Sequence, residues 1–118
     1  MEKKIHFRAV VEVLGKPKEH VDASLKEYLQ KLKEDARYQV LEEDLADLKQ
    51  HEESDLWMAF AELEIKTREV QDIIDFCFDY MPSSIEIIEP ETIVLKNNGL
   101  TNYLNDMQSR LHSLNTGI

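Results

Sequence analysis

The residue types that most often carry catalysis are scattered along this chain. The four histidines fall on four different segments, and no two have the spacing of a metal-ligand pair: His6, His20, His51 and His112. The only cysteine, Cys77, has no histidine near it in sequence that could activate its thiol. Three glycines in the whole chain cannot supply a glycine-rich phosphate loop. These observations predict no catalytic residue, no metal site and no bound cofactor.

Three carboxylates are the nearest approach to a cluster. Asp72, Asp75 and Asp79 recur at helical spacing, which is the arrangement that could present carboxylates to a metal ion. The opposite side of the same predicted helix is apolar and includes Val70 and Cys77. We therefore expect the three aspartates to face water and Cys77 to be a small core residue.

Periodicity in the first half of the chain predicts the elements that position these groups. Residues 5–14 alternate between apolar and polar positions and predict a strand, and Pro17 opens a helix that ends near residue 34. Segments 37–46 and 56–66 predict a strand hairpin with a polar tip at 49–55, with Trp57 in the core. Leu41, Leu45 and Leu48 also have helical spacing, which leaves a helix over residues 38–48 open.

The second half of the chain predicts a helix, a strand and a last helix. Thr67 is placed to cap the first of these helices and Pro82 to stop it. Its expected buried stripe is Val70, Ile73, Ile74, Cys77, Phe78 and Met81. Residues 84–89 predict a strand, 92–96 an extended run, 97–99 a turn and 100–114 a helix with a leucine-rich stripe.

This order of elements indicates the fold class. It is the βαββαβ pattern of an α+β, ferredoxin-like antiparallel sheet with two helices on one face and an added C-terminal helix. We expect a single domain over residues 1–118, made of a core (1–96) and a terminal helix (97–118).

The net charge of −10 comes from the middle of the chain. Residues 38–95 carry three basic and sixteen acidic side chains, whereas the segments on either side are slightly positive. Such a surface repels phosphates, so we expect no nucleic-acid partner, and a protein partner that reads charge should be basic and approach the acidic hairpin. No apolar run is long enough for a membrane, and the single cysteine fits a reducing compartment, so we expect a soluble, cytoplasmic protein without a membrane partner.

One side of the predicted sheet would expose an apolar area beside a charged one. Because the first and third strands are antiparallel, His6 and Arg8 should lie near Glu62 and Glu64. The apolar residues of that side, with those of the terminal helix, form the expected interaction face: Val10, Leu14, Leu56, Met58, Phe60, Leu104, Met107 and Leu111. The pattern leaves open whether the helix covers its own sheet or that of a second copy.

Two functions of different class follow from these expectations. The first is a non-enzymatic interaction or assembly module that forms a homodimer through the open sheet and the terminal helix. The second is a small-molecule-sensing regulatory domain with a partly polar pocket near Arg8, Glu12 and Glu62.

Residues 63–114 resemble the C-terminal extension of WYL-domain transcriptional regulators. The matching features are the strand Leu63-Glu64-Ile65, a helix from Val70 to Tyr80, the string Ile85-Glu86-Ile87-Ile88-Glu89-Pro90 and a terminal amphipathic helix. The sequence departs from that family at Ile93–Lys96, which separate the proline from the last helix. The resemblance implies a ferredoxin-like half-fold and a role in regulation or ligand sensing, and it transfers no functional residue.

Overall fold

The computed structural model describes residues 4–114 and combines a five-stranded antiparallel sheet with three helices. The strands are β1 (Ile5–Gly15), β2 (Gln39–Leu45), β3 (Lys49–Gln50), β4 (Trp57–Thr67) and β5 (Ser84–Glu89), and the helices are α1 (Lys18–Glu34), α2 (Val70–Asp79) and α3 (Asn97–Leu114). The strand order is β2-β4-β1-β5, and β3 adds a short pairing to β4. The segment 38–48 therefore contains a strand over residues 39–45 and no helix.

The two longest strands form the centre of the sheet. β1 and β4 pair over eleven residues each, from Ile5 opposite Thr67 to Gly15 opposite Trp57. Their alternation, recognised in the sequence, places every second side chain on an inner face that α1 and α2 cover. The buried inner residues are Ile5, Phe7, Ala9, Val11, Ala59, Ala61, Leu63 and Ile65.

Helix α1 buries one apolar stripe, whereas helix α2 corrects the stripe predicted for it. Val21, Leu25, Leu29 and Leu32 of α1 are buried. In α2 the buried residues are Ile73 and Phe76, followed by Tyr80 just after the helix, whereas Cys77 is exposed and Met81 is 75 % exposed. The predicted stripe is correct for Ile73 and for Val70, which packs against the core, and wrong for Cys77 and Met81. The helix is turned so that the larger aromatic rings, Phe76 and Tyr80, pack against the sheet and α1.

Both ends of α2 also differ from their predictions. The N-cap is Glu69, whose backbone N–H donates to Asp72 Oδ2 at 3.2 Å. Thr67 supports this turn from inside, since its buried hydroxyl lies 2.8 Å from Asp72 Oδ2 and 2.9 Å from the Arg37 carbonyl oxygen. The helix ends before Met81, which adopts the left-handed conformation (φ 47°) two residues beyond Asp79.

Helix α3 begins earlier than predicted and packs where the sequence did not place it. Asn97–Gly99, expected as a turn, form its first residues, and 92–96 make no strand. Among the other elements, α3 contacts chiefly α2. Because the α2 residues it meets, Gln71, Asp75 and Phe78, lie on the side of α2 away from the sheet, α3 forms an outermost layer.

Within residues 4–114, none of the helices has both the length and the apolar character needed to cross a bilayer.

Candidate functional site

The most conspicuous surface is the leucine stripe of α3, defined as Leu100, Leu104, Leu111 and Leu114. These side chains are 44, 50, 43 and 67 % exposed, and no residue of this 18-residue helix is buried. The half-buried residues of α3, such as Tyr103, Asp106 and Arg110, lie on a face turned roughly 90° around the helix axis from the stripe. The polar flank of α3 therefore rests on α2 and leaves the leucines in solvent.

An arginine–aspartate network holds α3 in this orientation. Arg110 donates to Asp75 on α2 and pairs with Asp106 on its own helix at 3.2 Å, while Gln71 Nε2 donates to Asp106 Oδ2 at 3.1 Å. The Arg110 guanidinium also lies 5.2 Å from the centre of the Phe78 ring. These directional contacts fix which face of α3 turns outward.

The same network continues through Asp75 to the corner between α1 and β2. Arg37 uses Nε and Nη2 to bind both oxygens of Asp35, at 3.0 and 2.7 Å, and reaches Asp75 and Asp79 at 3.3 and 3.1 Å. Tyr80 donates its hydroxyl hydrogen to Asp35 Oδ2 at 3.0 Å. Asp75 is thus the carboxylate shared by Arg37 and Arg110, and its side chain is only 15 % exposed.

The pKa values of these groups follow from their partners. Hydrogen bonds from the Arg37 side chain lower the pKa of Asp35 to about 2. Partial burial disfavours the charged form of Asp75, but hydrogen bonds from Gln71 and Arg110 and the charge of Arg110 outweigh it and lower its pKa. Burial and the hydrogen bond to Asp35 raise the pKa of Tyr80 to about 12. Asp35 and Asp75 are therefore both held in their charged forms, chiefly by their arginine partners.

The expectation that Asp72, Asp75 and Asp79 face water is wrong for the first two. Asp72 caps α2 and meets Thr67, Asp75 is enclosed by two arginines, and only Asp79 is exposed. Sequence reasoning missed Arg37 and Arg110 because both lie far from α2 in sequence. The available signal was that Arg110 and Asp106 are the only strongly charged side chains in an otherwise neutral amphipathic helix.

The second surface is the outer sheet face, on the side of the sheet opposite α1 and α2. Its charged half contains the predicted pairs: His6 Nε2 lies 2.8 Å from Glu64 Oε1, and Arg8 Nε lies 3.0 Å from Glu62 Oε1. The Arg8 Nε hydrogen does not point at that oxygen, so this contact is an ion pair and not a hydrogen bond. Arg8 Nη1 also donates to Glu86 Oε1 at 2.9 Å.

The other half of the outer sheet face is largely apolar, with Glu12 on β1 and Lys49 on β3 as charged residues among the apolar ones. Leu14 lies opposite Met58 and is 57 % exposed, and Phe60, opposite Glu12, is half-buried. Val10 lies opposite Glu62 at the boundary between the halves, and Leu56 precedes β4. The sheet therefore brings together five of the predicted interaction residues: Val10, Leu14, Leu56, Met58 and Phe60.

The structure separates these sheet residues from the predicted helix residues. Leu104, Met107 and Leu111 belong to α3, which is divided from the outer sheet face by α2 and the sheet itself. The terminal helix thus does not cover its own sheet, and the eight predicted residues make two surfaces on opposite sides of the chain.

The predicted pocket residues Arg8, Glu12 and Glu62 lie on the open sheet. A cleft of about 690 Å³ is found elsewhere, where the β1–α1 connection meets β3 and the start of β4. Trp57 forms one wall, and Lys18 Nζ lies 5.0 Å from its ring centre. Lys16 Nζ reaches Asp55 Oδ2 across the mouth at 3.4 Å. Trp57, expected in the core, is therefore half-buried at the edge of this cleft.

Across the described residues 4–114, no three histidine, cysteine or carboxylate residues meet in a group that could hold a metal ion. Cys77 was placed in the core by the sequence and is exposed instead. Nearby side chains still remove part of the water around its sulfur, and this desolvation raises the pKa of the thiol.

Comparison with known sequences identifies the family of this chain. The profile of the MJ0538 family matches residues 6–117, which is nearly the whole chain. No curated protein matches the chain. The match does not support the resemblance to WYL-domain regulators that the sequence suggested for residues 63–114, and it includes the first two strands and the first helix, which lie outside that segment. The chain belongs to the MJ0538 family.

Proposed function

We propose that this protein is a non-enzymatic assembly module that forms a homodimer by pairing the leucine stripes of two α3 helices. The observation that carries the proposal is an 18-residue helix with no buried residue and four leucines between 43 and 67 % exposed. Contiguous apolar surface of this kind is typical of protein–protein interfaces. The fixed orientation of α3 on α2 means that the stripe is already formed before a partner arrives.

Charge favours a second copy as the occupant. Two chains of net charge −10 repel each other unless they meet at a neutral surface. Helix α3 provides that surface, because Asp106 and Arg110, its only strongly charged residues, are turned towards α2. The residues beside the stripe are uncharged, for example Asn97, Thr101 and Gln108.

The geometry favours contact between two α3 helices over contact between α3 and a neighbouring sheet. The stripe and the outer sheet face lie on opposite sides of the chain, so a helix-to-sheet contact would repeat from copy to copy and produce an open chain of molecules. A helix-to-helix contact uses the same surface twice and closes after two copies. A helix of 18 residues offers about 27 Å of contact length for such a pair.

The test is the mass in solution of the protein and of two matched double variants. Wild type should sediment with twice the chain mass of 13.8 kDa, and Leu104→Lys with Leu111→Lys should give the monomer, since lysines in the stripe would face each other across the contact. The control adds the same charges to the opposite side of α3, through Asn102→Lys and Ser109→Lys, and should remain dimeric.

A monomeric wild type at about 100 µM, where a dimer of micromolar Kd would be formed, overturns the proposal. So does a control variant that dissociates as completely as the stripe variant. Circular dichroism of all three proteins checks that each retains its helices.

We also propose that the domain carrying this helix has a ferredoxin-like fold, and the strand order supports this. The order β2-β4-β1-β5, with α1 and α2 on one face, matches the expected topology if β3 is taken as an extension of the β2–β4 hairpin. We accordingly propose one domain for residues 1–118, with 1–96 as its core and the terminal helix as the assembly element.

The cleft beside Trp57 favours small-molecule sensing as a second candidate function. Its volume of about 690 Å³ falls in the range of known ligand pockets, and it combines an aromatic wall with Lys16 and Lys18. A thermal-shift screen of amino acids and nucleotides should then find a compound that raises the melting temperature and changes the fluorescence of Trp57, the only tryptophan. Unchanged melting temperature throughout, or a shift that survives Lys18→Gln with Trp57→Phe, would count against this function.

A further inference from the structure

The proposed dimer leaves the outer sheet face uncovered on each copy. This face is divided along the strands into a largely apolar half, with Leu14, Met58 and Phe60 beside Glu12 and Lys49, and an acidic half that includes Glu62 and Glu64. Residues paired across neighbouring strands point to the same side of a sheet, so β2 and β5 add further carboxylates to the acidic half. These are Glu42, Asp44, Glu86 and Glu89.

We propose that the outer sheet face binds a basic amphipathic segment of a partner protein. The apolar side chains of the segment would lie on Leu14, Met58 and Phe60, and its lysines or arginines would lie over Glu42 and Asp44. The proposal concerns a different surface from the leucine stripe and does not depend on the dimer.

Charge complementarity identifies the partner as basic. The acidic half has six carboxylates against Arg8, Lys66 and His6, and Arg8 and His6 are already paired with Glu62, Glu86 and Glu64. Glu42 and Asp44 have no ion-pair partner in the described part of the chain. Both line a depression of about 460 Å³ with Glu43, Glu62 and Glu64, where a cationic side chain from outside would find unneutralised oxygens.

The apolar half indicates that the partner segment is amphipathic, and the distance between the two halves sets the distance between its apolar and basic side chains. Phe60 and Glu64 are four residues apart on β4, which corresponds to about 13 Å along the strand. Apolar contact supplies most of the free energy of association, while the charged contacts select the partner and its direction. The segment should therefore carry apolar and basic side chains about 13 Å apart.

The test uses a fluorescein-labelled synthetic helical peptide of about 15 residues, roughly 22 Å long. Leucines occupy one side of its N-terminal half, and lysines occupy the same side of its C-terminal half. Fluorescence anisotropy should show saturable binding to the full chain. A peptide with glutamates in place of the lysines, and one with serines in place of the leucines, should each bind at least about tenfold more weakly, which corresponds to about 1.4 kcal/mol.

The matched protein variants locate the binding surface. Glu42→Lys with Asp44→Lys should raise the Kd of the lysine peptide at least about tenfold, and the milder Glu42→Gln with Asp44→Asn should raise it about threefold. Glu19→Lys with Glu27→Lys makes the same change of charge at exposed positions of α1, on the other side of the sheet, and should leave the Kd within about twofold of wild type.

Three results would overturn the inference. The peptide with serines in place of the leucines could bind as tightly as the original leucine–lysine peptide, which would show that charge attraction alone causes binding. The control variant could lose as much affinity as the Glu42 and Asp44 variant, which would show attraction to the chain as a whole. Finally, the lysine peptide could fail to bind. The monomeric Leu104→Lys, Leu111→Lys variant should keep the wild-type Kd, so failure of the dimer and failure of the sheet surface are distinguishable.

Discussion

Asp75 provides the sharpest test of how α3 is held, through the substitution Asp75→Asn. This change preserves the size of the side chain and removes the charge that Arg37 and Arg110 share. If Asp75 faced water, as its place in the sequence suggests, the change would alter stability by no more than about 0.5 kcal/mol.

The structure indicates a larger effect. Asp75 accepts hydrogen bonds from two guanidinium groups, and a hydrogen bond to a charged group contributes about 1.5–3 kcal/mol. Arg37 and Arg110 are 37 and 30 % exposed and keep Asp35 and Asp106 as partners, so water and these carboxylates replace part of what is lost. We therefore expect Asp75→Asn to lower the free energy of unfolding by about 2 kcal/mol.

Urea unfolding at fixed protein concentration measures this difference. With an m value of about 2 kcal/mol per molar for a chain of this size, the midpoint should fall by about 1 M. Amide hydrogen exchange gives a second readout, because α3 should lose protection while the central strands β1 and β4 keep theirs.

Asp47→Asn is the matched control, because it removes one negative charge from an exposed residue outside the arginine–aspartate network. A midpoint for Asp75→Asn that lies within error of this control would refute the argument. Unchanged protection of α3 would likewise show that the arginine–aspartate network does not hold the helix.

Three further predictions test the same contacts. The pKa of Asp35 is about 2, below the value of 3.8 that an unpaired aspartate has, so the carboxylate stabilises the fold by at most ~2 kcal/mol above about pH 4. In wild type this contribution should disappear as the pH falls from 4 to 2, and in Asp35→Asn it should be absent at every pH. Acid titration of the free energy of unfolding measures both. Thr67→Val should cost about 1–3 kcal/mol in urea unfolding, because the Arg37 carbonyl and the Asp72 carboxylate lose a buried partner, whereas the same cost from the exposed Thr101→Val would contradict this reason. Cys77 should react fully with a thiol reagent in the folded protein, but more slowly than free cysteine because its pKa is raised. If it reacts only in denaturant, Cys77 is buried in the core, as the sequence predicts.

The sheet was predictable because the side chains of a strand alternate between only two faces, and only one of these can be the buried face. In β1 and β4 one of the two faces is continuously apolar, so the sequence determines which side is buried and which pairs, such as His6 with Glu64, meet on the other. The strand nature of 39–45 followed from its partner β4 and not from its own pattern, which contains helical spacing as well.

Helix α2 was not predictable in the same way, because it contacts protein on two sides. Its inner side, with Phe76, packs on the sheet, and its outer side, with Phe78, meets Arg110 of α3. Apolar residues on both sides give several possible orientations, and periodicity alone cannot choose among them. The choice depends on contacts between residues such as Arg37 and Asp75, which are 38 positions apart in sequence.

The two proposed surfaces together give a specific architecture. Pairing through α3 would place the two outer sheet faces on the far sides of the dimer, because each is separated from the leucine stripe by α2 and the sheet. Both faces would then be free to bind basic segments at the same time, and a partner with two such segments would bind with an effective concentration set by the linker between them. Such a partner should lose affinity when the stripe is disrupted by Leu104→Lys with Leu111→Lys, whereas a single segment should not. Dimerisation would therefore contribute to function by presenting two acidic, half-apolar sheets at a fixed separation.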